Sequence, residues 1–167
     1  MKNQLEYWLR GKIEGVPSLL QPVAHSLMQS KEEVRNYMQG FPDQKLWEQP
    51  AGRASVGFHL QHLTGVLDRL MTYAKSEELS ESQFNFLKQE GIPNQHISSE
   101  ELILNFEIKV LEAIALLKIT PSSSLTEFRG VGRKQMPSTV IGLLFHAAEH
   151  AQRHIGQLLV TVSVVKN

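Results

Sequence analysis

Residues Ser138 to Val162, STVIGLLFHAAEHAQRHIGQLLVTV, decide the fold. No proline interrupts them, and the apolar residues recur at three- and four-residue steps, the spacing of an α-helix. With His150 as reference, Leu143, Ala147, His154, Gln157 and Thr161 fall on one side. Ile141, Leu144, Ala148, Ile155 and Leu159 fall on the other. A helix that is apolar on both faces must bury both. A helical bundle leaves one face of each helix wet, so the pattern predicts a second subunit over the outer stripe, as a homodimer.

Working outward, three more helical segments precede it. The first opens between Ser18 and Pro22, carries Leu20, Ala24, Leu27, Val34 and Met38, and stops at Gly40 before Pro42. Ser55 is placed to cap the second, whose stripe is Val56, Leu60, Leu63, Leu67, Leu70 and Ala74. The polar stretch Lys75 to Gln95 has room for a short helix around Phe84 to Leu87. Ser98 and Glu101 match a capping box at the head of the third long segment, with Ile103, Val110, Ile114 and Leu117 as its stripe and Pro121 beyond its end. Ser122 to Pro137, with Gly130 and Gly132, reads as a long loop. The apolar stretch Leu158 to Val165 reads as a helix end or a packed tail, and strand signals are weak everywhere else. The expectation is one all-α domain over 1–167, an up-down four-helix bundle with long connecting loops.

Composition narrows the function. Lys+Arg and Asp+Glu are balanced at 17 each, which gives no basic field for nucleic acid. Met1 to Gly15 is too charged for a signal peptide, and no apolar run reaches the roughly 20 residues that span a bilayer. Cysteine is absent, which excludes disulfides, thiolate ligands and a cysteine nucleophile. Together these predict a soluble protein of the reducing cytoplasm, with no membrane partner.

Seven histidines are unevenly spread. His59 and His62 share the second helix, while His146, His150 and His154 share the fourth. Histidines at i and i+4 lie above one another on one helical face, so both rings can address one ion. At about 1.5 Å rise per residue, His146 and His154 stand about 12 Å apart, so the pair is His146 with His150 or His150 with His154. A third imidazole from the second helix completes a set of the catalytic type, open to water or substrate. There, angular position favours His59, nearer the middle of the apolar stripe, over His62 at its edge. His25 and His96 are assigned no function.

At this point the residues resemble a known family. Ser55-Val56-Gly57-Phe58-His59-Leu60-Gln61-His62-Leu63, followed by Asp68-Arg69-Leu70, is similar to the second-helix motif of the DinB/YfiT-like superfamily, the damage-inducible metal-binding family. His150-Ala151-Gln152-Arg153-His154-Ile155-Gly156-Gln157 is similar to its fourth-helix signature. The resemblance implies a four-helix bundle, frequently homodimeric, whose metal ligands are His62, His150 and His154. It implies that Gly156 permits close helix approach and that Gln157 can hydrogen-bond a bound water or substrate. The cofactor it implies is one divalent transition metal, zinc or nickel first, iron or manganese next.

Members of that family are described as thiol S-transferases, using bacillithiol, mycothiol or glutathione, or as metal-dependent hydrolases. The resemblance therefore implies a small-molecule substrate, with water or a low-molecular-weight thiol activated for attack on an electrophile. With no cysteine in the chain, a thiol arrives as co-substrate. Glu149 precedes His150, so the His-Glu-x-x-His arrangement of metalloproteases is absent, and Glu149 points off the ligand face. Arg129 and Arg133 are loop cations that an anionic substrate would meet. The rival expectations are a non-enzymatic metal-binding or sensing protein and a structural helical dimer with core histidines.

Overall fold

A computed structural model describes residues 5–166, so the head of the Met1–Gly15 segment lies outside the described residues. Among them are five α-helices and one two-stranded hairpin: α1 (Gln21–Tyr37), α2 (Val56–Ala74), α3 (Glu81–Gln89), α4 (Ser99–Ile119), β1 (Phe128–Val131), β2 (Met136–Thr139) and α5 (Val140–Lys166).

Local chemistry sets the helix heads. The Ser55 side chain accepts from the Phe58 amide at 3.1 Å and starts α2. The Ser98 hydroxyl does the same for α4 through the Glu101 amide at 3.2 Å, so the serine half of the expected box is made. A complete capping box stands at α3 instead: Ser80 Oγ accepts from the Gln83 amide, and the Gln83 side chain accepts from the Ser80 amide. This explains why the short helix extends on both sides of Phe84–Leu87.

Each of α1 and α2 packs against both α4 and α5, and the apolar stripes meet in one core. Leu20, Leu27, Val34, Leu60, Phe106, Leu117, Leu144 and Leu158 are wholly shielded there. Arg35 ties α1 to α4 by ion pairs to Glu100 and Glu107 at 2.6 and 2.8 Å. No helix of the described residues is long and apolar enough to cross a membrane.

Two sequence expectations are corrected. Residues Ser122 to Pro137 are not all loop: β1 and β2 pair antiparallel, with Phe128 opposite Thr139 and Val131 opposite Met136. The strands are short, and Gly130 faces Pro137 across them, which hides their β pattern. Gly132 at φ +66° makes the turn. Arg129 latches the hairpin to α2 by donating to the Ala74 carbonyl at 2.8 Å. The apolar C-terminal tail is the continuous end of α5, one of the two readings expected of it.

The second correction concerns what covers the outer stripe of α5. Leu144, Ala148 and Ile155 are buried within the single chain, because α1 lies over them. Ser26 Oγ donates to the Ala148 carbonyl, and Gln152 donates to Ser26 O and Ser30 Oγ. These three positions are covered without a second subunit, while Leu159 of the same stripe stays exposed. Truncating Leu144 to alanine should therefore cost about 2–5 kcal/mol of unfolding free energy by urea titration, whatever the protein concentration. A loss that shrinks as concentration rises would assign the stripe to a partner chain.

Candidate metal centre

The site is built where α2 faces α5. His62 comes from the middle of α2, and His150 and His154 from successive turns of α5. One ring nitrogen from each lies within 4.8 Å of the other two. His62 Nε2 and His150 Nε2 are 3.0 Å apart. A metal bound by imidazoles at about 2.1 Å in tetrahedral geometry separates its ligand atoms by about 3.4 Å, which falls between these distances. The donor set is three imidazoles without a carboxylate, the chemistry that suits a divalent transition metal. His150 Nδ1 is buried without a hydrogen-bond partner. The residues present fit such an ion.

His62 rather than His59 completes this group. His59, although nearer the centre of the stripe, turns its Nδ1 to His154 Nδ1 at 3.1 Å and stands behind that ring. His146, the other neighbour of His150, is largely exposed and faces Glu149 Oε1 at 2.7 Å. Arg153 grips the same carboxylate at 2.6 Å, so Glu149 is engaged at the surface, off the ligand face. His146, Glu149 and His150 also come within 4.8 Å of one another, with the ion pair to Arg153 competing for the carboxylate. His25 secures the Gly11 carbonyl at 2.9 Å, and His96 sits exposed in a loop.

Burial depresses the imidazoles. It is the first cause for His59, held down to about 4 with help from the nearby His62 charge. His150, also about 4, feels burial first and then His62 and His146. His154 falls to about 3, by burial and then His62 and His150. These rings are neutral at pH 7 and keep lone pairs for a ligand.

Sequence reasoning missed the support around His62. Its Nδ1 meets Glu90 Oε2 at 2.7 Å, and Arg69 Nη1 meets Glu90 Oε1 at 2.6 Å. Phe58 stacks on the His62 ring, 5.1 Å between centroids at 14°. Glu90 escaped notice because it lies 28 residues from His62 in a polar stretch with no periodic signal. Its one trace is Gly65: a Cβ there would collide with Glu90, and would sit 2.7 Å from Arg69 Nη1 and 2.8 Å from Phe86.

The close approach expected at Gly156 is not found. A Cβ on Gly156 meets nothing within 4 Å, whereas one on Gly57 would strike the Trp47 ring at 2.6–2.8 Å. Gln157 is exposed, and Arg129 is committed to the hairpin latch. Arg133 lines a cavity of about 590 Å³ with Tyr73, Phe84 and Phe128.

Comparison with known proteins agrees with this architecture. The model of the DinB superfamily matches residues 26–158. A crystal structure of a protein from Streptococcus pneumoniae superposes with a TM-score of 0.62 at 10% identity, over 86% of this chain and 88% of that one, a likeness of fold alone. No curated protein matches the chain significantly.

The depressed imidazoles carry a pH consequence. The unfolded chain takes up protons near pH 6.5, while folded His59, His150 and His154 wait until about 4 or 3. Between those values the unfolded state binds more protons, so stability rises with pH. The metal-free protein should hold its full urea midpoint above about pH 6.5 and lose it progressively towards pH 4. A His59→Gln, His154→Gln double variant should lose less over the same window; an identical profile would remove these rings as the cause.

Proposed function

The chain belongs to the DinB superfamily, and on that footing we propose that it is a metal-dependent enzyme acting on a small electrophilic molecule. One divalent transition metal, zinc or nickel before iron or manganese, is held by His62, His150 and His154. The observation that carries this reading is the convergence of three imidazoles from two helices, two of them held neutral by burial. When bound, such an ion supplies a Lewis acid that brings the pKa of water to near 7 and lowers that of a thiol likewise.

The chain's own residues do the rest. His150 and His154 offer lone pairs without releasing protons at neutral pH, and His62 faces them from α2. Phe58 covers one face of His62 and excludes water from it. His59 hydrogen-bonds His154 from behind. No cysteine is present to act as internal nucleophile, so the attacking group is water, as in a hydrolase, or a low-molecular-weight thiol, as in an S-transferase. We read α1, α2, α4 and α5 as the family's up-down four-helix bundle, working in the reducing cytoplasm.

One observation favours a non-enzymatic metal-binding or sensing protein as the second reading. The 590 Å³ cavity by the hairpin is lined by Tyr73, Phe84, Phe128 and Arg133 rather than by the histidines. Elemental analysis of untagged protein separates the cases. About one divalent ion per chain is expected, lost in His150→Ala, with turnover of thiol–electrophile pairs or small esters by the loaded protein. Metal without turnover selects the sensing reading. No metal, and none taken up from added zinc, nickel or iron, removes both.

A homodimer belongs to the same proposal, on a different face from the one the sequence suggested. Leu104, Ile108 and Leu111 of α4 are exposed at four- and three-residue spacing, one apolar stripe for the same stripe of a second copy. Sedimentation velocity should show a dimer that Ile108→Glu converts to monomer with its metal content intact. A monomeric wild type would remove this part.

A further inference from the structure

Glu90 is a carboxylate in an unusual position for a residue on a connecting loop. Its side chain is only 5% exposed, and both oxygens are engaged, Oε2 with His62 Nδ1 at 2.7 Å and Oε1 with Arg69 at 2.6 Å. Burying a carboxylate this way is costly unless charge and hydrogen bonds compensate it, and Arg69, itself 11% exposed, supplies the opposite charge. The surroundings hold the geometry. The next residue, Gly91, donates its amide to Gln61 Oε1 at 2.8 Å, so the loop is pinned to α2 beside His62. A Cβ on Gly91 would lie 3.0 Å from Phe58, the ring stacked on His62. The absence of a side chain at Gly65 leaves the space in which Glu90 and Arg69 meet.

A carboxylate only accepts hydrogen bonds, so His62 Nδ1, which faces it, must carry a proton, and a neutral ring there is the Nδ1–H tautomer. Its Nε2 is then a lone pair, and it points at His150 Nε2, 3.0 Å away. With His62 in that tautomer, this contact is a hydrogen bond when His150 carries its proton on Nε2 and donates it to the lone pair. His150 Nδ1 is then an acceptor, and it is the one buried side-chain nitrogen or oxygen without a partner among the described residues.

We propose that Glu90, braced by Arg69, is a positioning residue that locks His62 in the Nδ1–H tautomer and keeps its Nε2 lone pair aimed at His150 and His154. This deepens the metal reading above and rests on it only in part. The lock is a property of the metal-free ring, while its effect on an ion is the added basicity and fixed orientation that a carboxylate gives a ligating histidine.

The test uses Glu90→Ala and Glu90→Gln in the full chain, with two readouts. The first is the nitrogen shifts and ring correlations of His62 by NMR in metal-free protein. The second is zinc affinity by chelator competition. Glu90→Ala should convert His62 to a mixture of tautomers and weaken zinc about 10–100-fold. Glu90→Gln keeps an acceptor oxygen without the charge, so it should retain the Nδ1–H tautomer with an affinity between the two. An unchanged tautomer and affinity in Glu90→Ala would overturn the proposal, as would a Glu90→Gln no better than Glu90→Ala. Should Glu90→Ala fail to fold, Glu90→Gln decides alone: weaker zinc with the tautomer retained supports the lock, and wild-type affinity overturns it. A wild type that takes up no zinc would defeat the metal reading, and the His62 spectra would still decide the lock.

Discussion

Removing imidazoles from water between α2 and α5 is the constraint around which the rest of the molecule is arranged. A buried ring nitrogen without a partner costs free energy, and a buried imidazolium costs more. The chain answers in two ways. Burial keeps His59, His150 and His154 neutral, and the rings bond one another, His59 to His154 and His62 to His150. What remains unsatisfied is concentrated on His150 Nδ1. A core built for stability alone would place leucines at these positions, as it does at Leu60 and Leu158.

Satisfying His62 brought a second part of the chain into play. His62 sits at the edge of its stripe, where no neighbouring core residue reaches its Nδ1. The polar stretch after α2 fills that role by folding back over it. α3 sets the course of this segment through its capping box, and Glu90 ends it at the ring. Gly65 and Gly57 are the cost on the α2 side. Glycine inside a helix loses about 1 kcal/mol against alanine, and here each one makes room for a packed group, Glu90 with Arg69 at one and Trp47 at the other.

The long helices were legible because burial writes a 3.6-residue period into them: the stripes predicted for α1, α2 and α4 all lie in the core. The i, i+4 spacing likewise brought His150 and His154 forward. Position on the stripe, by contrast, pointed to His59, because periodicity measures depth and the group requires a ring at the helix edge, facing α5. The resemblance to the DinB/YfiT-like motif carried the information that depth lacked. The hairpin stayed hidden because four-residue strands holding Gly130 and Pro137 have too little apolar alternation to register. Glu90 stayed hidden because tertiary folding alone brings it to His62. Leu144, Ala148 and Ile155 of the outer α5 stripe were seen correctly as buried, but the sequence could not say that α1 would cover them or that Leu159 would stay exposed.

These features bear on how stability and occupancy are linked. An ion that binds the folded triad and not the unfolded chain stabilises by RT ln(1 + [L]/Kd), about 4 kcal/mol at a thousandfold excess over Kd. That is comparable to what one well-packed core leucine contributes by the truncation scale. The arrangement therefore has a direction. The metal-free fold carries imidazoles that hydrogen-bond one another, with one nitrogen unpaired, and an ion would replace those bonds with ligation. Glu90 has the same direction, because the tautomer it imposes on His62 is the one a ligand needs and has no advantage for packing. Support of this kind, placed outside the converging nitrogens and built from α2 and the segment after α3, is a stronger argument for a working centre than the histidine cluster alone.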